Sequence, residues 1–587
     1  MTAKNQPLMP MSRAEMARLG WDELDVLLVS GDAYVDHPAF GAAVLGRSLM
    51  SRGYRVGIVA QPRWDSPGDI EALGRPRLFC GVTAGALDSM LAHYTAFRKK
   101  RSDDAYTPGG RAGSRPNHAT IVYTGLVRAA FPGLPVVIGG IEASLRRVSH
   151  YDFWADKIRR SILLDSKADL LVYGMAERAV IDIARRLERR APAEALRGIP
   201  GTVRAAAGDD DQPPGAVLQL RSHEEVVDEP RKLMDLTLAV ERLVQSADRW
   251  AVQTAGNRRL LIAPPAEPLT TEELDTLYAL PFTRRAHPAY EKPIPALEMV
   301  QFSITTHRGC GGGCTFCALA LHQGRRIASR SARSVRAEAR TLAQHPDWKG
   351  SISDVGGPSA NMWGARCMAD AAKCRRASCL YPRPCPSLAA NQEGLAELLD
   401  AVSRVPGVKH VRVASGVRHD LALQAPEYVQ ALLGRFTGGQ LKLAPEHAAP
   451  DVLRLMRKPP FETFLRFLTI FERASARAGK QQYVVPYLMS AFPGCTDSDM
   501  RDLADWLRKR GWRPQQVQCF VPTPGTVATA MYCAGIDPEG NSIYVARTDA
   551  ERLRQHRILM PSGKTAVRKH RAGSAGKKVV GARKKPE

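Results

Sequence analysis

The chain has no long apolar segments. No run of about 18 apolar residues, the length that a membrane-spanning helix needs, occurs anywhere in it. The first residues, MTAKNQPLMPMSRAEM, include no apolar core long enough for a signal peptide. We therefore expect a cytoplasmic protein with no membrane segment.

Aromatic and cysteine side chains are both scarce. An aromatic content of 6% leaves few rings for stacking on nucleic-acid bases, and the sequence shows no RRM or KH pattern. Eleven cysteines are too few for a disulfide scaffold in 587 residues. A cluster among them therefore points to metal or redox chemistry in a reducing compartment.

Acidic residues fall well short of basic ones, and the formal net charge is +24. Such a charge predicts an anionic partner such as nucleic acid, phosphate or an acidic surface. The tail 561–587 holds nine Lys or Arg and one Glu, with no aromatic residue, so we expect it to be disordered. It accounts for about a third of the net charge, and the rest lies on the body of the protein.

The N-terminal half alternates β-rich apolar runs with helical patterns, which favours a parallel α/β sheet. We expect a doubly-wound-like α/β domain over residues 1–290, with loops at 101–116 and 206–215. The predicted strands are 25–31, 55–61, 77–85, 135–140 and 169–174, and the clearest helices are 40–53 and 177–190.

A second alternation predicts a partial (β/α)6 barrel over residues 297–560, after a Pro-rich boundary at 281–296. Its predicted strands are 299–307, 351–357, 410–416, 440–445, 482–492 and 517–523. The predicted helices between them are 331–345, 391–404, 420–434, 461–478 and 497–510. By analogy with complete barrels, the chemistry belongs on the loops that leave the strands.

The strongest motif is HRGCGGGCTFCAL, which places Cys310, Cys314 and Cys317 in C-x3-C-x2-C spacing. Random placement of the cysteines predicts about 0.004 such triplets. Three thiolates on one glycine-rich loop favour a soft metal centre. Ordinary zinc and [4Fe–4S] sites take four protein ligands, so three leave one iron open to bind a small molecule. The alternatives are zinc with a fourth ligand such as His307, or three free cysteines.

With Phe316 before the last cysteine and a barrel strand ahead of it, this triplet resembles the radical S-adenosylmethionine (SAM) superfamily. The resemblance implies that Cys310, Cys314 and Cys317 hold a [4Fe–4S] cluster. It also implies that the open iron binds SAM and that reductive cleavage gives a 5′-deoxyadenosyl radical. A one-electron reductant such as flavodoxin or ferredoxin would then be a partner.

Longer segments resemble one branch, the YgiQ family of bacterial radical SAM proteins, from about residue 9 to residue 560. The similar segments are GDAYVDHPAFG (31–41), GGIEASLRRVSHYDFW (139–154), DVGGPSANMWG (354–364), KLAPEH (442–447) and PTPGTVATAMY (522–532). The reaction of that family is unassigned to our knowledge, so the resemblance leaves the substrate open.

The resemblance also suggests where SAM binds. Gly356 and Gly357 follow the second barrel strand, where many relatives carry Gly-Gly-Glu, although Pro358 stands here in place of the Glu. Arg418 in SGVRHD and Glu446 in APEH are candidates to contact the ribose and carboxylate of the cofactor. They could equally be ordinary polar residues at strand ends.

A second cysteine group, Cys367, Cys374, Cys379 and Cys385, falls within RCMADAAKCRRASCLYPRPC. Four thiolates can close a metal site, so we expect an auxiliary iron–sulfur cluster or zinc here. Partial coordination with one redox-active cysteine, or a purely structural role, are the alternatives. The neighbouring basic residues, which would offset thiolate charge or contact an anionic substrate, are Lys373, Arg375, Arg376 and Arg383.

An α/β domain ahead of such a barrel raises the question of cobalamin. Asp36, His37 and Gly41 form D-H-x3-G rather than Asp-x-His-x-x-Gly, with Gly139-Gly140 further along. Because this spacing is wrong for a corrin-ligating histidine, we do not expect cobalamin.

The sequence therefore predicts a radical SAM enzyme whose substrate is unknown. An RNA- or ribosome-associated binding protein with structural metal sites is the alternative, motivated by the basic charge. A non-catalytic electron-transfer protein is less consistent with an open iron position.

Overall fold

A computed structural model describes residues 7–207, 212–370, 373–514 and 516–560. The predicted loop 206–215 lies partly outside these residues, and the predicted basic tail 561–587 lies wholly outside them. All eleven cysteines fall within the described residues, and each is a free thiol.

The N-terminal sheet begins with the five strands that the sequence predicts, and they are parallel. They are β1 Val26–Ser30, β2 Val56–Ala60, β3 Phe79–Thr83, β4 Val136–Gly139 and β5 Leu170–Val172. Their spatial order, β2-β1-β3-β4-β5, is the flavodoxin-like doubly wound order. All five residues of β1 are buried, as expected for a strand that helices cover on both faces.

Four further strands extend this sheet beyond β5, and the sequence analysis did not predict them. They are β6 Thr202–Ala207, β7 Val217–Gln219, β8 Trp250–Ala255 and β9 Arg258–Ile262, in the order β5-β6-β9-β8-β7. The pairing β5–β6 is antiparallel, so the nine-stranded sheet is mixed. A two-residue loop joins β8 to β9, and its Gly256-Asn257 sequence is a hairpin signal that could have revealed them.

The second half supplies the six strand positions expected of the partial barrel. They are β10 Ser303–Thr305, a second strand in two pieces (β11 Ser351–Ile352 and β12 Asp354–Gly356), β13 His410–Val411, β14 Gln440–Glu446, β15 Tyr483–Ser490 and β16 Gln518–Cys519. The pairings β10–β12, β11–β13, β14–β15 and β15–β16 are all parallel. A parallel bridge between Val417 and Leu443 connects the third strand position to the fourth.

Helices cover both sheets. Those of the N-terminal half are α1 Gly41–Met50, α2 Ala119–Ala130, α3 Gly140–Leu145, α4 Glu177–Leu187, α5 Lys232–Ser246 and α6 Thr271–Tyr278. Those of the second half are α7 Leu319–Gln323, α8 Ala332–Ala343, α9 Gln392–Ser403, α10 Pro426–Ala431, α11 Phe461–Arg477, α12 Asp497–Lys509, α13 Val527–Ala534 and α14 Asp549–Leu559. Within the described residues, no helix combines the length and the apolarity needed to cross a membrane.

Shorter elements connect these layers. Further helical turns are Arg13–Arg18, Gly68–Glu71, Ser89–His93, Pro108–Gly110, Ile162–Ser166, Pro192–Ala195, His223–Asp228, Pro295–Val300, His419–Ala422, Leu432–Phe436 and Pro450–Met456. Four two-stranded ribbons pair Val35–Asp36 with Arg285–Ala286, His150–Asp152 with Lys157–Arg159, His307–Arg308 with Ala328–Ser329, and Arg366–Cys367 with Leu388–Ala389. The apolar stripe of α11 shows why the long helices form: buried side chains recur every three or four residues, at Phe461, Phe464, Phe467, Leu468 and Phe471.

Arg284 joins the two halves of the molecule. Its Nη1 donates to the carbonyl of Ser303 on β10 (2.9 Å) and to Nε2 of His37 in the N-terminal half (2.9 Å). Its Nη2 donates to one carboxylate oxygen of Glu338 on α8, and the other oxygen accepts from Arg330. All three members of this ion network are buried. The expected division of the chain near residue 290 stays a prediction.

Candidate functional site

The cysteine triplet lies on the loop between the ribbon strand His307–Arg308 and helix α7. Backbone hydrogen bonds fix both ends of this loop: Cys310 N–H donates to the carbonyl of Gly324 (3.1 Å), and Cys317 N–H donates to that of Cys314 (3.1 Å). In between, the Thr315 hydroxyl donates to the carbonyl of Leu455 (2.8 Å). The loop is therefore held against the barrel at the carboxyl end of its first strand.

Gly313 shows why this loop needs glycine. Its backbone has φ = +61°, in the left-handed region that only glycine adopts freely. An added Cβ atom would lie 2.4 Å from the carbonyl oxygen of Ala377. The close approach arises because the segment around Ser378 packs on the loop, where its hydroxyl donates to the carbonyl of Gly312 (2.6 Å).

The thiols of Cys310 and Cys314, which both act electrostatically on the Cys317 thiol, lie together at Gly312. A Cβ atom added there would lie 3.4 Å from the Cys310 sulfur, 3.7 Å from the Cys314 sulfur and 3.4 Å from Nη1 of Arg418. Burial, with a smaller contribution from the neighbouring thiols, raises the pKa of Cys317 to about 12, and burial also raises the pKa of Cys310. Metal binding therefore has to displace protons from these thiols.

No three His, Cys, Asp or Glu side chains in the described part of the chain converge on one point as ligands of a single metal ion. A cubane cluster does not need such convergence, because each thiolate binds a different iron. The free thiols, the glycine between them and the adjacent guanidinium fit a three-cysteine cluster. His307 packs against Gly357, and its Nδ1 pairs with the Thr306 hydroxyl at 2.8 Å.

Arg418 is the basic group that the structure brings to the triplet. Its Nη1 lies 3.8 Å from the Cys314 sulfur, and the guanidinium forms two hydrogen bonds with Asp420, at 3.0 and 2.5 Å. Burial of Asp420 opposes its ionisation, but Arg418 outweighs that effect and lowers the pKa of Asp420 to about 2. The sequence analysis missed Asp420, although it stands in the same RHD segment.

Glu446 also lies near the triplet, at the end of β14. Its carboxylate is 3.6 Å from the ammonium of Lys458, and both side chains are buried. Burial raises the pKa of Glu446, and Lys458 opposes that rise. The backbone of Glu446 has φ = +67°, a conformation that costs a non-glycine residue about 1–3 kcal/mol and that clusters at functional sites.

Gly356 and Gly357 end the second barrel strand, and side chains crowd both. A Cβ atom on Gly356 would lie 3.1 Å from the Ser415 hydroxyl oxygen, and one on Gly357 would lie 2.6 Å from the His307 ring. Asp354 holds this edge by accepting hydrogen bonds from the Ala414 N–H (2.7 Å) and from Ser415. The space at this strand end therefore leaves no room for a side chain at either position.

The second cysteine group lies on the segment that covers the triplet loop. Cys379 N–H donates to the carbonyl of Gly311 (2.9 Å), and Cys385 N–H donates to that of Cys379 (2.8 Å). Nη2 of Arg325 lies 3.5 Å from the Cys379 sulfur. Cys367 is exposed, whereas Cys374 is half-buried. The expected auxiliary metal site stays a prediction.

The motif that suggested a corrin ligand has a structural role. His37 is buried, its Nδ1 accepts from the Ala39 N–H (3.0 Å), and its Nε2 accepts from Arg284. Asp36 is paired with Arg47 through two hydrogen bonds, at 2.9 and 2.6 Å. His37 therefore contacts the residue that joins the two halves, whereas Asp36 and Arg47 pair within the N-terminal half.

Two family models match the chain. The radical SAM N-terminal model covers residues 8–303, and the radical SAM superfamily model covers residues 304–507. A UPF0313 protein of Geobacter sulfurreducens is 52% identical over 94% of this chain and 92% of its own length. UPF0313 proteins of Thermotoga neapolitana (49% identical; 92% and 96%) and Methanosarcina acetivorans (45% identical; 94% and 78%) are also similar.

Among solved structures, the chain resembles the radical SAM methyltransferase TsrM from Kitasatospora setae with cobalamin and a [4Fe–4S] cluster bound. That similarity has a TM-score of 0.49 and 16% identity, and it covers 90% of this chain and 84% of TsrM. The cobalamin-dependent SAM radical enzyme OxsB, with aqua-cobalamin and SAM bound, gives a TM-score of 0.44 and 10% identity over 93% of this chain and 57% of OxsB.

These similarities overturn our expectation against cobalamin, which was wrong. It depended on the absence of a corrin-ligating histidine at the position of His37. A cofactor of that size can also be held by the walls of a cavity, without a protein ligand to its metal.

The family models and the UPF0313 relatives agree on one family, and they confirm the resemblance to YgiQ-type proteins. A superfamily of enzymes accounts for both halves of the chain, and the relatives cover almost its full length. The chain therefore belongs to the radical SAM superfamily, within the UPF0313 family.

Proposed function

We propose that this protein is a radical SAM enzyme in which Cys310, Cys314 and Cys317 hold a [4Fe–4S] cluster with one open iron. The observation that carries the proposal is the triplet itself, three free thiols on one glycine-rich loop at the end of the first barrel strand. When bound and reduced, the cluster supplies the electron that cleaves SAM to a 5′-deoxyadenosyl radical. The substrate that would lose a hydrogen atom is unassigned.

The chain's own residues prepare this site for negative charge. Arg418 places a guanidinium 3.8 Å from the Cys314 sulfur, where its positive charge would offset the negative charge of a cluster held by thiolates. Asp420 fixes the orientation of that guanidinium through two hydrogen bonds.

Two groups of residues would position SAM. The backbone of Gly356 and Gly357, which carries no side chain, would allow close approach of the cofactor amino group. Glu446 and Arg418 supply a carboxylate and a guanidinium suited to the ribose and carboxylate of SAM. Because Pro358 stands in place of a glutamate, we assign the acidic contact to Glu446.

Electron delivery requires a partner, and we propose a flavodoxin or ferredoxin in the cytoplasm, where thiols stay reduced. The covering segment carries basic residues next to the triplet loop, including the well-exposed Lys373. Such a surface favours docking of an acidic partner. The remaining positive charge suits an anionic substrate, nucleic acid included, and a steep salt dependence of binding would identify one.

The test is anaerobic reconstitution of the wild-type protein and of Cys314→Ala. We expect the wild type to hold an oxygen-sensitive cluster and to release 5′-deoxyadenosine from SAM after reduction with dithionite. Cys314→Ala should lose both properties, because only two thiolates then remain on the loop. Iron and sulfide counting, EPR spectroscopy and chromatography of the nucleoside measure them.

Cys533→Ala is the matched control, since this half-buried cysteine lies on α13 and outside both cysteine groups. It should keep the cluster and the SAM cleavage of the wild type. A Cys314→Ala protein that still held the cluster and still released 5′-deoxyadenosine would contradict the assignment.

A further inference from the structure

A large cavity lies where the N-terminal sheet meets the barrel. Its volume is about 560 Å³, within the range of small-molecule and cofactor sites. The carboxyl ends of β1, β3 and β4 form one wall, at Ser30, Thr83 and Gly139. In the order β2-β1-β3-β4-β5, the switch point falls between β1 and β3, which is where doubly wound sheets bind their ligands.

The opposite wall belongs to the barrel. Gly356 and Gly357 line it, as do His322 and Gln323 from the helix that follows the cysteine triplet. A ligand at the switch point would therefore face the glycines that we assign to SAM. The two walls are tied together by a hydrogen bond of 3.0 Å between His322 Nδ1 and the Ser144 hydroxyl.

Glycines line much of the N-terminal wall of the cavity. Gly140 has φ = +81°, and a Cβ atom there would lie 2.4 Å from the Thr83 hydroxyl oxygen, so the backbone itself forms the surface. Gly85 and Gly174, which follow the ends of β3 and β5, lie in the same wall. Bare backbone of this kind suits a flat ring that lies against it.

The charged groups of the lining are already paired. Asp32 contacts the guanidinium of Arg115 at 3.0 Å. Burial raises the pKa of Asp32 to about 6, although Arg115 opposes that rise. Among the described residues of the lining, Arg308 is the one Lys or Arg, and it is paired with Glu177. The wall therefore offers no free cation to a multiply charged ligand.

Two features of the wall nevertheless have unused hydrogen-bonding capacity. Oε2 of Glu177 is buried and accepts no hydrogen bond from the described residues, while Oε1 accepts one from Arg308. A ligand edge with an N–H group would satisfy it. Helix α1, ten residues long, begins at the cavity with no side-chain cap, and Gly41, Ala42 and Ala43 of its first turn line the wall. These first N–H groups suit one phosphate.

We propose that the cavity binds a planar conjugated ring with a hydrogen-bonding edge and one phosphate-bearing tail, the chemistry that corrinoids and flavin mononucleotide share. The ring lies against the glycines of the N-terminal wall, its edge meets Glu177, and its phosphate meets the start of α1. The cavity thereby serves as a second cofactor site facing SAM. That the site faces SAM depends on the proposed function. The binding of the ring does not, because none of the three triplet cysteines lines the cavity.

The test is binding by the full-length protein purified without its cluster. Hydroxocobalamin and flavin mononucleotide are titrated separately, with equilibrium dialysis and visible absorbance as the readouts. We expect one of the two to bind saturably with one site per chain, and its identity distinguishes the two sources. Cys310→Ala should bind that ligand equally well while losing SAM cleavage, which separates failure of this site from failure of the cluster assignment.

Two substitutions at the cavity mouth, Gly41→Trp and Ala39→Trp, fill its opening with a large ring. Both positions are exposed, and a Cβ atom on Gly41 meets nothing within 4 Å, so the protein should fold normally. Each should weaken binding by at least about tenfold, equivalent to 1.4 kcal/mol. Gly125→Trp is the control, on an exposed helical glycine outside the cavity with equally open space, and it should bind as the wild type does.

Failure of both ligands to bind stoichiometrically would overturn the proposal. Undiminished binding by Gly41→Trp and Ala39→Trp, in protein shown by circular dichroism to be folded, would also overturn it.

Discussion

The substitution Glu338→Gln tests whether the buried ion network holds the two halves of the molecule together. The Glu338 carboxylate is the counter-ion of both Arg284 and Arg330, and the three side chains are 7%, 6% and 1% exposed. Burial lowers the pKa of Arg284, and Arg330 adds to that effect, while Glu338 opposes both. Removing the carboxylate leaves two guanidinium ions in an apolar environment without a counter-ion.

The expected loss follows from that burial. Removing one partner of a buried ion pair costs about 3–5 kcal/mol, because the remaining charge stays desolvated. For a folding unit the size of the barrel, about 2–4 °C of melting temperature is lost per kcal/mol. Glu338→Gln should therefore lower the melting temperature by about 6–20 °C. Differential scanning calorimetry at matched scan rates, with urea unfolding as a second readout, measures the effect.

The matched control lies one residue along the chain. Arg285 pairs with Asp347 at 2.9 Å, but both side chains are 48% exposed. A solvated pair contributes about 0–1 kcal/mol, so Asp347→Asn should shift the melting temperature by no more than about 4 °C. Equal shifts for Glu338→Gln and Asp347→Asn would refute the reasoning, since burial would then have no bearing on the cost.

Three further predictions concern the site. Burial lowers the pKa of His322 to about 4, so its neutral form stabilises the fold above pH 6.5, and that contribution is lost as the pH falls toward 4. Between these pH values, His322→Asn should lose about 3 kcal/mol less unfolding free energy than the wild type, and equal losses in urea titrations would contradict this. Gly313→Ala should bind little iron on reconstitution, because its Cβ would meet the Ala377 carbonyl, whereas Gly416→Ala, with nothing within 4 Å, should load normally. If the second cysteine group holds an iron–sulfur cluster, the triple Ala variant of Cys310, Cys314 and Cys317 should retain iron, and an iron-free triple variant would exclude it.

Most of the architecture could be predicted from the sequence, because its strands are short apolar runs that end in glycine-containing turns. The first barrel strand is an instructive difference. The sequence predicts one strand over 299–307, yet Pro295–Val300 is helical and only Ser303–Thr305 pairs with the second barrel strand. Pro295 fixes the φ of a first helical turn, a local preference that outweighs β propensity there.

The antiparallel extension of the sheet was harder to predict. Strand β9 begins with Arg258 and Arg259, and β7 has only three residues, so neither shows a clear apolar period. Strand β7 pairs with β8 and strand β9 pairs with β6, and each of these pairs joins segments distant in the chain. Only the turn between β8 and β9 carries a local signal. Tertiary pairing of this kind is the usual reason that strand prediction depends on context.

The residues of the candidate site also fall into those that a local pattern identifies and those whose role depends on tertiary contacts. Spacing alone identified the triplet, because three thiols on one loop are a local feature. Asp420 and Lys458, by contrast, matter only through the partners that the fold gives them. The cavity could not be read from the sequence at all, since its walls come from strands separated by more than two hundred residues.

The position of Arg284 has a consequence for how the chain is made and cut. During synthesis, this residue leaves the ribosome more than fifty residues before Glu338, the only carboxylate with which it forms an ion pair among the described residues. The contact between His37 and Arg284 is therefore completed only after the barrel residue Glu338 has been synthesised and has folded into place. A fragment ending at residue 290 would keep the whole nine-stranded sheet yet bury an uncompensated charge, or expose the surface around it. We expect such a fragment to require chaperones or to be degraded.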